Sequence, residues 1–213
     1  MQAAFAACPL VAIMRGVRAD EAVAHGHALY EAGFRLIEVP LNSPDPLKSI
    51  AALRNALPAD ALVGAGTVLR PAFVDAVADA GGELIVMPHS DAEVIRAAKR
   101  RALACAPGVA TPTEAFAALA NGADVLKMFP AEQLGVAVLK AWRAVIAACV
   151  PLVPVGGIAP TNMAPFLAAG ANGFGLGSAL YRPGQDPETT AANARAFIEG
   201  LQAARDAQAA PAP

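Results

Sequence analysis

The stretch Val125-Leu126-Lys127-Met128-Phe129-Pro130-Ala131-Glu132 reads as a short strand that ends by delivering one lysine. Val125, Leu126, Met128 and Phe129 are strand formers, so a cation set among them either snorkels to the surface or points into a polar site. Inside a closed sheet only the site is open to it. A lysine desolvated by apolar neighbours has a lowered pKa, and its partly neutral amine can attack a carbonyl carbon, the opening step of Schiff-base chemistry. The competing reading is a rim lysine paired with Glu132 or with a helix C-terminus. The rest of the chain decides between them.

Working outward, apolar runs alternate with helical spacing along the whole sequence. Upstream, Leu10-Val11-Ala12-Ile13-Met14 is a continuous apolar run, the mark of a strand buried on both faces, and Arg15-Gly16 ends it. A helix follows from Asp20 to Gly33, and Leu36-Ile37-Glu38-Val39-Pro40 is a second strand with a carboxylate inside it. Strands are predicted at 61–67, 83–87, 103–106, 151–155 and 173–177. The intervening helices are predicted at 48–56, 71–80, 91–102, 112–121, 136–148 and 161–169, with a last one over 187–206. Residues 207–213 form an Ala/Pro-rich tail expected to be flexible. Eight strands, each followed by a helix and with no linker, predict a single-domain α/β protein, a (β/α)8 TIM barrel over residues 1–206. An open doubly wound sheet is the alternative.

In such a barrel the site lies at the C-terminal ends of the strands, and alternate strands feed the same interior layer. Glu38 on the second strand and Lys127 on the sixth would then face each other across the mouth. Burial raises a carboxyl pKa toward neutrality, which suits Glu38 for general acid/base work; a salt bridge to Arg15 or Lys127 is the other possibility. Arg15, after the first strand, can grip a carboxylate with two parallel bonds. Thr67, after Gly64-Ala65-Gly66, offers a hydroxyl on a backbone that a ligand can approach closely. Val155-Gly156-Gly157-Ile158 and Gly175-Leu176-Gly177-Ser178 follow the last two strands, where barrels build phosphate sites from backbone N–H groups. The same glycines could be plain tight turns; as a Rossmann fingerprint they lack the spacing.

The 213 residues carry a formal net charge of -2 and no basic stripe, which argues against nucleic-acid and membrane-surface partners and for a small-molecule ligand. Between Arg143 and Arg182 there is no Asp, Glu, Lys or Arg, but Pro151, Pro154, Gly156, Gly157, Pro160, Pro165 and Gly170 interrupt the stretch, too many breaks for a spanning helix. Cys8, Cys105 and Cys149 have no metal or redox spacing, which fits a reducing, cytoplasmic setting. Phe5-Ala6-Ala7-Cys8 loosely matches a lipoprotein cleavage site, but no cation and no long apolar run precede it. No metal and no cofactor is expected: His25 and His27, two apart on a helix, face different ways, and only His89 lies near the predicted mouth.

With these residues in place, the sequence resembles the class I aldolases acting on 2-keto-3-deoxy-6-phospho sugar acids. The motifs that carry the resemblance run in family order: Ile37-Glu38-Val39-Pro40-Leu41-Asn42-Ser43, Gly64-Ala65-Gly66-Thr67-Val68-Leu69, Lys127-Met128-Phe129-Pro130, Val155-Gly156-Gly157 and Leu176-Gly177-Ser178-Ala179-Leu180-Tyr181-Arg182. The galactonate branch is the nearer one. Its members carry an arginine at the Arg15 position in place of the one lost at Asn42, and Val155 stands where gluconate enzymes have a threonine.

The resemblance implies that Lys127 forms the imine with the C2 ketone. It implies that Glu38, through a water, takes the C4 hydroxyl proton while the bond between carbons 3 and 4 breaks, yielding pyruvate and glyceraldehyde 3-phosphate. It assigns the carboxylate to Arg15 and Thr67, and the phosphate to Gly156, Gly157, Gly177 and Ser178, and it implies a homotrimer. Met87-Pro88-His89 departs from relatives, which often have a small hydroxyl residue and an asparagine or glycine there. The competing expectations are preference for the gluconate epimer or for 4-hydroxy-2-oxoglutarate, a phosphate-binding barrel doing isomerase or transferase chemistry without a covalent lysine, and a non-catalytic sugar-phosphate sensor.

Overall fold

The structure is a computed structural model and describes residues 1–209. Its strands are β1 (Leu10–Ile13), β2 (Leu36–Pro40), β3 (Leu62–Gly66), β4 (Leu84–Val86), β5 (Ala104–Ala106), β6 (Gly108–Val109), β7 (Leu126–Met128), β8 (Leu152–Pro154) and β9 (Phe174–Leu176). The helices are α1 (Gln2–Ala7), α2 (Ala22–Glu31), α3 (Pro46–Ala56), α4 (Pro71–Asp79), α5 (Ala92–Arg100), α6 (Pro112–Ala120), α7 (Ala131–Arg143), α8 (Met163–Ala168) and α9 (Pro187–Ala209). Local chemistry sets several starts. Asp91 caps α5 by accepting from Glu93 N at 2.7 Å and Val94 N at 3.1 Å. At α6, Thr111 Oγ1 accepts from Glu114 N while Glu114 reaches back to Ala110 N, a reciprocal cap, and Pro112 takes the first helical position.

Every strand pairing is parallel. The predicted fifth strand, 103–106, is found as β5, and the short β6, which was not predicted, follows it. Pro107 has no N–H to continue a ladder, so β5 closes a six-stranded sheet, in the order β5-β4-β3-β2-β1-β9, while β6 opens a three-stranded one, β6-β7-β8. The predicted eight-stranded ring is thus found as two parallel sheets. They approach each other where Val125 N and Lys127 N bond to Cys105 O and Pro107 O, at 3.3 and 3.0 Å, and at a parallel bridge between Val155 and Gly175.

Side chains alternate strictly between two cores, as a period of two requires. Leu10, Ala12, Ile37, Val39, Val63, Ile85, Cys105, Leu126 and Met128 face the helices in one large cluster. Ile13, Leu84, Val86, Ala104, Ala106, Val125, Val153 and Val155 form a second cluster on the inner faces of the sheets, with Met1 and Phe5 packed against it. Complete burial of Phe34, Phe174 and Phe197 contributes about 1.5–3 kcal/mol apiece. Among the described residues no helix is long and apolar enough to cross a membrane.

Three boundaries differ from expectation. Helix α1 was not predicted: six residues, four of them alanine, show no helical period, yet Met1 and Phe5 seat against the inner core. Helix α7 begins at Ala131 rather than 136, because Gly135, with φ 76° and ψ 172°, joins a first turn to the segment the spacing detected. Helix α9 takes in residues 207–209, the start of the expected tail, whose remaining residues 210–213 lie outside the described residues.

Candidate active site

Two of the inner-face positions carry ionisable groups. Glu38, 2 % exposed, pairs in register with Ile13 on one side and Gly64 on the other. Lys127, 8 % exposed, pairs with Gly108 and Val153. Both side chains line one narrow apolar space together with Ile13, Val86, Val153 and Gly175. Neither takes part in a salt bridge among the described residues, and Glu38 Oε2 finds no hydrogen-bond partner there. The simple structural ion pair is therefore not what holds them, and Lys127 is not paired with Glu132.

Burial dominates both titrations. It pushes Glu38 from 4.5 up to about 7, against the pull of the Lys127 and Arg15 charges. It lowers Lys127 from its ordinary value, with Arg15 adding to that fall and Glu38 opposing it. The Lys127 ammonium also lies 4.8 Å from the centre of the Phe129 ring. Near neutral pH the pair therefore offers a carboxyl populated in both forms and an amine eased toward its nucleophilic form.

Room for the carboxyl comes from a missing side chain. A Cβ placed on Gly66 of β3 would lie 1.6 Å from Glu38 Oε2, so only glycine lets the carboxylate occupy its position. The next residue, Thr67, has φ 56°, a left-handed conformation that a β-branched residue rarely adopts, and it holds the threonine on the cavity wall.

Above this pair opens a cavity of about 410 Å³. Arg15, Thr67, Lys127, Val155, Gly156, Gly157, Gly177 and Ser178 all line it, and Glu38 lies one layer beneath. Gly156 and Gly157 have φ of 108° and 68°, conformations that glycine adopts at no steric cost, and they form an open stretch of backbone on the wall. Arg15 Nη1 donates to Asn42 Oδ1 at 2.7 Å, which sets the guanidinium beside the position where the resemblance notes a lost arginine.

Sequence reasoning missed Pro88, Phe129, Glu132 and Ala179 as lining residues. Phe129 and Glu132 belong to the stretch that drew attention to Lys127. Glu132, however, turns to the glycine loop, where its Oε2 sits 2.8 Å from a Cβ placed on Gly157. His89 is off the cavity wall, with a buried Nδ1 that has no partner among the described residues. His25 is buried and His27 exposed, as their spacing requires. Among the described residues no group of three or more His, Cys, Asp or Glu could hold a metal ion.

A buried lysine and carboxylate on the inner face of parallel strands, beneath a glycine-walled cavity, are the groups that imine chemistry on a small anionic substrate requires. The family comparison agrees: residues 1–191 match the KDPG and KHG aldolase family, and the chain belongs to it. It is 48% identical over 196 residues to the 2-dehydro-3-deoxy-6-phosphogalactonate aldolase of Escherichia coli (strain K12), covering 92% of this chain and 96% of that one. It is 49% identical over 176 residues to a probable enzyme of the same name from Rhizobium meliloti (strain 1021), covering 83% of each. A solved structure described as native KDPGal superposes with a TM-score of 0.91 at 47% identity, covering 93% of this chain and 96% of the other.

Proposed function

We propose that the protein is a class I aldolase that cleaves 2-dehydro-3-deoxy-6-phospho-D-galactonate to pyruvate and D-glyceraldehyde 3-phosphate. The observation that carries this reading is the pairing of Lys127 with Glu38 on one buried inner face, directly under a cavity large enough for a six-carbon phosphate. The Lys127 amine attacks the C2 ketone and water leaves, giving a protonated imine. Glu38, through a water, removes the C4 hydroxyl proton; the electron pair of the bond between carbons 3 and 4 moves into the imine, and the aldehyde departs. Glu38 then returns a proton to carbon 3 of the enamine, and hydrolysis frees pyruvate and the lysine. A carboxyl titrating at about 7 suits both halves of that cycle.

Arg15 and Thr67 are assigned to the substrate carboxylate, and the backbone at Gly156, Gly157, Gly177 and Ser178 to its phosphate. Preference for the galactonate epimer is supported by the Arg15–Asn42 bond and by the apolar Val155 on the cavity wall, together with the names of the relatives.

The proposal extends to architecture. β5 and β6 are one chain segment interrupted only at Pro107, and with the Val155–Gly175 bridge they would close the two sheets into a (β/α)8 barrel. The protein is further proposed to act as a homotrimer in the cytoplasm. Contact between copies is supported by a groove of about 490 Å³ in which Leu47, Leu69 and Phe73 stand exposed.

Borohydride reduction in the presence of pyruvate, followed by peptide mapping, tests the chemistry. A reduced adduct on Lys127 is expected; an adduct on another lysine, or none, removes the aldolase mechanism. Turnover of the galactonate and gluconate epimers measured side by side tests the substrate.

A further inference from the structure

The turn after β9 is held from behind by a buried polar chain that the catalytic reading leaves unused. Leu180 N and Tyr181 N both donate to Gly177 O, at 2.9 and 3.0 Å, making one helical turn whose first residues, Gly177, Ser178 and Ala179, line the cavity. The side chains of Ser178 and Ala179 are exposed, so they do not brace the turn from the cavity side.

From the other side the bonds are many. Leu180 O accepts from Gln185 Nε2 and from Asn193 Nδ2, each at 3.1 Å, and Ser178 O accepts from Arg182 Nε at 2.9 Å. The Gln185 amide is fixed in orientation, because its Oε1 accepts from Arg182 N at 3.0 Å. Its Nε2 therefore also donates to Thr190 Oγ1 at 2.7 Å. Thr190, fully buried, meets His25 Nδ1 at 2.8 Å, and its other acceptor, Asp186 O, is 3.4 Å away. The hydroxyl accepts from the glutamine amide and links it to the histidine in either tautomer of the ring. Tyr181 rests edge-on against the His25 ring, centroids 4.9 Å apart, and donates to Glu21 Oε1 at 3.1 Å.

Burying a histidine, a threonine and a tyrosine is unfavourable unless each polar atom is paired, and here the pairing spreads from the Gln185 amide, to the carbonyl of Leu180 on one side and through Thr190 of α9 to His25 of α2 on the other. A phosphate held by backbone N–H groups meets no flexible side chain that could adjust to it. Its affinity then depends on how firmly the peptide planes are fixed in advance.

We propose that Gln185, Thr190 and His25 are positioning residues that fix the Gly177–Tyr181 turn and so set the affinity of the site for the phosphate end of its substrate. The inference rests on the phosphate reading given under the proposed function.

Thr190→Val, nearly isosteric, removes the hydroxyl alone. Expected are a rise of about 10-fold in KM for the phosphorylated substrate and in Ki for inorganic phosphate, with kcat changed less than about twofold. Borohydride trapping of pyruvate on Lys127 stays at the wild-type level, and Thr190→Ser restores both constants. Unchanged KM and Ki in Thr190→Val, whatever its melting temperature, overturn the proposal, as does a loss confined to kcat. Should Thr190→Val fail to fold, Gln185→Leu at its half-buried position must show the same rise, and an unchanged KM there is equally decisive. A wild-type protein indifferent to the phosphate, with equal KM for the dephosphorylated substrate and no inhibition by inorganic phosphate, removes the phosphate reading and this proposal together. A wild-type preference that both variants keep removes this proposal alone.

Discussion

Replacing Glu38 by glutamine should make the protein more stable at alkaline pH than at acid pH, relative to the wild type. The side chain is 2 % exposed, and burial raises its pKa from 4.5 to about 7 despite the attraction of Lys127 and Arg15. Between those two values the folded chain keeps the proton and the unfolded chain releases it. The unfolded state then binds fewer protons, so unfolding free energy falls as pH rises. The stabilisation is complete below about 4.5 and is lost as pH passes through about 7. At 1.36 kcal/mol for each pH unit, the full passage costs about 3 kcal/mol. Glu38→Gln has nearly the same shape and does not titrate. Lys127 acts with the same sign: without the carboxylate its lowered pKa falls further, which adds to the variant's gain as pH rises. Urea unfolding of both proteins at one protein concentration, from pH 4.5 to 8, cancels every other carboxylate. The difference should grow by about 3 kcal/mol in favour of the variant. A difference that stays flat, or moves the other way, would refute the burial argument for Glu38 and with it the account of its acid/base role.

Three further outcomes are expected. On the proposed mechanism, in which an ionised Glu38 accepts the C4 proton, the acid limb of kcat/KM should rise with a midpoint near 7; a pH–rate profile checks it, and the midpoint should move away from 7 in Glu38→Gln. Val155→Thr should shift the ratio of kcat/KM toward the gluconate epimer by about 10-fold, as one hydroxyl in a pocket typically allows, measured with both epimers as competing substrates. Gly66→Ala should lower kcat by about 100-fold, since the new methyl group lies where Glu38 Oε2 now sits and the carboxylate must move; steady-state kinetics beside a melting curve separates this from unfolding.

Much of this was legible in the chain because strand burial is periodic. The alternation that puts Ile37 and Val39 among the helices also puts Glu38 on the inner face, and that follows from residue spacing alone. Lys127, Arg15, Thr67 and the paired glycines stood at strand ends, where a parallel fold gathers its chemistry, and they line one cavity. What escaped depended on three-dimensional contact or on small irregularities. The break at Pro107 was a single residue inside an apolar run. The turn before Gly135 was too short to show a helical period. Glu132 offered a nearby carboxylate for Lys127 on paper, but the backbone after Pro130 turns it to the glycine loop. His25 and Thr190 are separated by 165 positions, and no local pattern announces that they touch. The need for glycine at position 66 could not be read before the place of the Glu38 carboxylate was known.

That last feature constrains how this sequence can drift. Position 66 has no side chain of its own, yet its tolerance is written at position 38: the three atoms nearest a Cβ at 66 all belong to the Glu38 carboxyl group. The two sites are therefore coupled sterically. In a library scored by folding rather than by turnover, randomising position 66 alone would show a preference for glycine, and randomising it together with position 38 would show that preference weakening when the carboxylate is removed.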